Sequence, residues 1–248
     1  NPPAITATTH YRVMVDPTGT PDCGSATAST NTIVLTILPV FDPGTITGET
    51  SATQCTNYDP AEMTAHPTGA AGTYDYQWQS SPDGSAWTDI SGATSVNYNP
   101  PAITTTTHYR VMVDPTGSPD CGSATASINT VILTILPVFD PGAITGETSA
   151  TQCTNYDPAE MTAHPTGAAG TYDYQWQSSP DGSAWTDISG ATSVNYNPPA
   201  ITTTTHYRVM VDPTGSPDCG SATASINTVI LTILPVFDPG AITGETSA

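Results

Sequence analysis

Lysine is absent from the 248-residue chain, and three arginines are its only strong bases. That absence excludes a good deal of chemistry. A phosphate-binding P-loop needs its lysine, as do a Schiff-base enzyme and an S-x-x-K acyl enzyme. A Lys–Asn isopeptide crosslink is equally impossible, so any covalent staple must be a disulfide. Long apolar runs are missing too. The longest, Val131 to Leu136, is far shorter than the ~20 residues that span a bilayer. No basic-then-apolar leader opens the chain and no anchor closes it. No ten-residue stretch has a helical period. H-E-x-x-H, H-x-H and G-x-S-x-G are all lacking.

What is present is repetition. Residues 99–196 match 1–98 except at Ala7/Thr105, Thr20/Ser118, Thr30/Ile128, Ile33/Val131, Val34/Ile132 and Thr45/Ala143, and 197–248 repeat 99–150 unchanged. A chain with a 98-residue period hosts no unique active site, because each copy does what the next does. Fixed-period repetition marks a modular array, whose product is length, spacing or multivalency. The formal charge is −19, with 22 acidic residues scattered along the chain. This makes a solvated acidic surface that repels nucleic acid and anionic lipid. The apolar residues fall in patterned runs and argue for a folded chain.

The cysteines follow the same period. Cys23, Cys121 and Cys219 form one series, Cys55 and Cys153 the other. Sparse pairs without C-x-x-C spacing read as disulfides of an oxidising compartment, with buried free thiols as the alternative. Cys55–Cys121 and Cys153–Cys219 are the expected bonds, each confined to one copy, with Cys23 left over. A loop of that size stabilises by ~4 kcal/mol in the chain-entropy model. The alternative, Cys23–Cys55, crosses from one copy to the next.

Within one copy, short runs alternate as strands between turn residues. They are Thr45–Thr47, Ala61–His66, Tyr74–Gln79, Trp87–Ile90, Ser95–Tyr98, His108–Val113 and Thr130–Leu136. Tyr74, Tyr76 and Trp78 share one face of their strand; Tyr109, Val111 and Val113 share one face of theirs. Seven short strands around one central tryptophan predict an all-β fold: tandem immunoglobulin-like β-sandwiches, beads on a rod. The frame is then the C-terminal part of a module at 1–40, complete modules at 41–138 and 139–236, and a first strand of the next at 237–248. Such a chain is expected to be an excerpt of a longer array. The joints are Pro137, Val138 and Phe139, then Pro235, Val236 and Phe237. Two prolines and no Gly/Ser tract predict limited bending, with Phe139 buried between neighbours and Phe237 repeating its geometry. Each module should add ~35–40 Å, from ~10 strand residues at ~3.3 Å.

The strings Tyr76-Gln77-Trp78-Gln79-Ser80-Ser81-Pro82-Asp83-Gly84, Trp87-Thr88-Asp89-Ile90-Ser91-Gly92-Ala93-Thr94, Tyr98 and Thr107-His108-Tyr109-Arg110-Val111 resemble the Ig-like repeats of very large secreted surface proteins of Bacteroidota. These include gliding adhesins of the SprB type, exported by the type IX pathway. The resemblance covers each whole module. It implies a β-sandwich, an extracellular, cell-surface location and a stalk or adhesive filament.

Candidate chemistry is thin. His10, His66, His108, His164 and His206 read as surface or turn residues. Asp114 and Asp120 flank a loop beside Cys121, and Asp42 lies at a joint; such oxygens suit calcium, but no D-x-D-x-D-G string accompanies them, and Asp-Pro and Pro-Asp-Gly are ordinary turn formers. Gly69-Ala70-Ala71-Gly72 is a small-residue turn, with neither the lysine nor the helix of a nucleotide loop. No catalysis, cofactor or metal is expected. Trp78 is the core residue. Trp87, Tyr58 and Tyr98 either cap the core or offer a ring to a sugar. Arg110 is expected to pair with Asp75 or a nearby carboxylate across neighbouring strands, and likewise Arg208 with Asp173. The reading is a structural repeat of an extracellular adhesin stalk or surface filament, partnered by neighbouring repeats of its own chain. Other filament strands, a surface polysaccharide or a host or substrate surface are further partner candidates; nucleic acid and membrane insertion are not. Tandem carbohydrate-binding modules are the alternative. A strand-exchanging pilin is disfavoured, since the chain already polymerises itself covalently.

Overall fold

A computed structural model describes residues 2–18, 20–21, 24–119 and 121–240. Among them there are strands and turns but no helix. They group into two compact units, one of residues 1–49, 61–99 and 109–131, the other of residues 50–60, 100–108 and 132–248.

The second unit contains a complete sandwich. Its smaller sheet orders Ile144–Thr145, Met161–Ala163 and Asn195–Tyr196, all antiparallel. The larger runs Ala150–Gln152, Val229–Ile233, Thr205–Pro213, Tyr172–Ser179 and Thr186–Asp187, with Thr223–Ala224 also paired to Thr205–Pro213. The long central pair holds the register from Tyr172↔Pro213 to Ser179↔His206.

Alternation does the rest. Every second residue of Thr205–Pro213 is buried, namely Tyr207, Val209, Val211 and Pro213. Trp176, Leu231 and Met161 are fully buried with them, so side chains from both sheets fill one core. The Trp176 indole N–H would be orphaned there, and it donates to the Ser193 carbonyl at 2.9 Å. Tyr196 packs on Trp176 with ring centroids 5.6 Å apart. The expected all-β immunoglobulin-like sandwich is present.

The earlier copy repeats these elements. Ile46–Thr47, Met63–Ala65 and Asn97–Tyr98 form its three-stranded sheet, and Trp78 is fully buried with its indole N–H donating to Ser95. Residues 2–40 contribute two small pairs, Thr9–Tyr11 with Ile33–Leu35 and Met14–Val15 with Thr27–Ala28.

Each copy holds two strands that the sequence did not reveal, Ala52–Gln54 and Thr125–Ala126 in one and Ala150–Gln152 and Thr223–Ala224 in the other. Ala52–Gln54 lies parallel to the last strand, with Gln54 beside Ile135. Ala150–Gln152 does the same, with Gln152 beside Ile233. The first strand expected in 237–248 repeats Thr45–Thr47 at 241–243, which lie outside the described residues.

Candidate functional site

Two features stand out from the solvated surface: the junction around residues 136–142 and a layered cluster on the outer face of the larger sheet. The junction is built by short-range geometry. Asp140 and Thr166 exchange both backbone hydrogen bonds at 2.9 Å, and the Ala168 N–H donates to the Pro137 carbonyl at 2.8 Å. The strap entering the sandwich is thus zipped to the 164–168 turn. Gly167, at φ +81°, makes this possible, since a Cβ there would collide with the Val138 carbonyl. Phe139 then turns into its own sandwich and meets Tyr172 at 6.0 Å. Phe41 repeats this in the first unit, against Tyr74 at 6.1 Å. The aromatic at the joint therefore caps the core of the sandwich it opens. It is not wedged between neighbours; Pro137 and Val138 are exposed, as are Pro235, Val236 and Phe237.

The cystine is not the one expected. Cys55 bonds Cys219, with Cα atoms 5.4 Å apart and 164 residues between them in sequence. Cys121 and Cys153 are exposed thiols, and Cys23 lies outside the described residues. Strand direction explains the correction. Ala150–Gln152 runs parallel to Val229–Ile233, and both end where Thr205 begins the long antiparallel strand. Cys153 therefore sits at the Thr205 end, whereas Cys219 follows Pro213 at the other. Eight residues at ~3.3 Å put ~26 Å between those ends, far beyond the ~7 Å Cα separation that a disulfide tolerates. Cys153–Cys219 cannot form, nor by the same register can its repeat Cys55–Cys121. The bond instead joins the segment after Ala52–Gln54 to the loop after Thr205–Pro213 of the next copy. Both segments belong to the second compact unit.

The second feature replaces the expected Arg–Asp pairs. Arg208 stands opposite Gln177 in the register, and Asp173 stands opposite Asp212. The guanidinium is thus four positions from Asp173, and its Nε donates to Gln177 Oε1 at 2.6 Å. The Gln177 amide passes the contact on to Asp187 at 2.7 Å. The guanidinium also lies 4.3 Å from the Trp185 ring centre, and the indole N–H donates to the Gly182 carbonyl. Arg110, Gln79, Asp89 and Trp87 repeat the cluster. Each half-buried Trp87 or Trp185 therefore has one ring face covered by arginine.

The remaining candidates have structural partners. Tyr98 packs between Trp78 and Tyr109. Tyr156, the counterpart of Tyr58, donates to the buried Glu147, which also accepts from the Ala159 N–H. His66 and His164 bond the hydroxyls of Thr47 and Thr145. Asp42 accepts from the Gly44 N–H, closing a turn. Asp120 lies outside the described residues. Amide donors from Ser183 and Ala184 and the Ser179 hydroxyl hold the Asp181 carboxyl below its usual range, as befits a Pro-Asp-Gly turn.

A family model described as "Domain of unknown function (DUF8696)" matches residues 42–137 and 141–235. The chain belongs to this family, and carries it twice in tandem. No curated protein matches the chain. Among solved structures it is similar to the FN1–FN3 domains of chicken CNTN1, at 16% identity over 79% of this chain and 67% of that one, with a TM-score of 0.39. The N-terminal eight Ig domains of the Down syndrome cell adhesion molecule align at 13% over 87% of this chain and 26% of that one, TM-score 0.37. Mouse cadherin-23 EC22–24 aligns at 11% over 86% and 71%, TM-score 0.42. The sandwich assignment rests on this chain's own strand order and register.

Proposed function

We propose that the chain is a structural repeat of an extracellular adhesin stalk or cell-surface filament, with modules at 41–138 and 139–236 supplying length and stiffness. The observation that carries this reading is the Cys55–Cys219 bond, which ties one copy to the next. A bond placed at a junction restrains the angle between neighbours, which is what a spacer needs. An exported, oxidising setting fits a structural cystine, and the acidic surface keeps adjacent chains apart. The kinship with SprB-type gliding adhesins of Bacteroidota rests on the strand motifs alone. The alternative, a row of sugar-binding modules, needs open aromatic faces, and Arg110 and Arg208 cover one face of Trp87 and Trp185.

Small-angle scattering of the chain with and without reductant tests the proposal. The spacer reading expects an extended particle that becomes more flexible on reduction. A compact particle, or one indifferent to reductant, would count against it. Binding of a surface polysaccharide that is lost in Trp185→Ala would favour the alternative.

A further inference from the structure

We propose that the junction cystine is one link of a periodic series. In it, the cysteine at the position of Cys55 and Cys153 bonds the cysteine at the position of Cys121 and Cys219 in the following copy. Cys153 and Cys121 are then docking points for further copies of this repeat. The inference rests on the spacer reading and names its partner and its covalent latch.

Cys55 and Cys219 are bonded and half-buried, while their counterparts one period away, Cys153 and Cys121, are exposed. Their sequence surroundings are the same. The residue 164 positions after Cys153 would be number 317, and the one 164 before Cys121 would be −43, so neither partner falls within residues 1–248. Neither thiol can turn inward, because each sandwich keeps its two cysteines at opposite ends. The surface beside Cys153 is apolar and open. Cys153, Thr154, Leu234, Pro235, Val236 and Phe237 line an open hollow of about 370 Å³. Phe237 is 84% exposed there, whereas Phe139, one period earlier, packs against Tyr172 in the sandwich it opens. The tyrosine that would receive Phe237 belongs to another copy. A second copy seated on this hollow would cover Leu234 and bring its 219-type cysteine to Cys153, as Cys219 is brought to Cys55.

The bond forms by exchange with a small disulfide such as oxidised glutathione. The Cys153 thiolate attacks one glutathione sulfur and expels a glutathione thiolate. The incoming thiolate then attacks the Cys153 sulfur of the mixed disulfide and expels the second. Two protein thiols and one oxidised glutathione give one cystine and two reduced glutathiones.

The test is a chain in which residues 139–236 are duplicated in tandem, refolded in a glutathione buffer beside the 248-residue chain. Duplication adds two cysteines. The series expects one added cystine, no added maleimide-reactive thiol, and loss of that cystine alone in Cys153→Ser. Two added reactive thiols, or a bond between Cys153 and the 219-type cysteine of its own copy, would overturn it. Solution scattering on the same samples separates the two readings. Two free thiols with a full increment of length sink the latch and leave the spacer. An added cystine without added length keeps the latch and sinks the spacer.

Discussion

Residues 1–40 and 99–138 differ at only five positions, since five of the six differences between copies fall within residues 1–40, yet they fold differently. In the later copy Thr107–Pro115 is one continuous strand with Val111 fully buried. In the earlier one the strand breaks into Thr9–Tyr11 and Met14–Val15, and the matching Val13 is 63% exposed. Leu133 is fully buried; Leu35 is exposed. The alternating pattern is therefore only half of a core. The other half comes from the 58 residues 41–98, above all Met63 of the facing sheet and Trp78 of the neighbouring strand, and without them nearly the same sequence holds short, open pairs.

The largest break in that comparison should come from removing the core tryptophan of the neighbouring strand. Trp176→Ala is expected to cost about 3–5 kcal/mol, read by urea denaturation of the chain, and to leave 205–213 behaving like 9–15. A loss under about 1 kcal/mol would mean that the two sheets do not share one core. Gly167→Ala comes next. It forces a side chain into φ +81° against the Val138 carbonyl, and should cost more than about 1 kcal/mol, with faster amide exchange at Ala168. Unchanged exchange there would contradict the zipped strap. Arg208→Ala should cost about 1 kcal/mol, the worth of a cation–π contact with a side-chain hydrogen bond, and shift Trp185 fluorescence; an unshifted spectrum would count against the stacked geometry.

The smallest effect is on pH. Burial, with the nearby Tyr196, pushes the Tyr207 phenol up to about 12. Its neutral form is favoured by folding, so its contribution is complete below the ordinary value near 10 and fades as pH rises through about 12. Alkaline unfolding in that window, moved to lower stability overall but flattened in slope by Tyr207→Phe, checks the sign.

Much of this was legible in the sequence. The period, the all-β class, Trp78 as core and the buried faces of the two long strands follow from alternation alone. Two short strands per copy did not announce themselves, since Ala52-Thr53-Gln54 and Thr125-Ala126 carry no apolar alternation. That gap had consequences. Only the parallel pairing of Ala52–Gln54 with the last strand places Cys55 at the junction end of its sandwich, so equal spacing suggested a bond that strand direction forbids. The Arg208 partner was hidden for a related reason: alternation fixes the face on which a side chain stands but not the register. Register put Gln177 where a carboxylate was expected.

The direct test of the central claim is a non-reducing tryptic map. Arg12, Arg110 and Arg208 are the only basic cleavage sites, so the cysteines are distributed over just three fragments: 13–110, 111–208 and 209–248. A Cys23→Ser background leaves Cys55 as the only cysteine in the first. Fragments 13–110 and 209–248 should travel together until reduced, with 111–208 released free. Linkage of 13–110 to 111–208, or of 111–208 to 209–248, would place the bonds within single copies and contradict the claim.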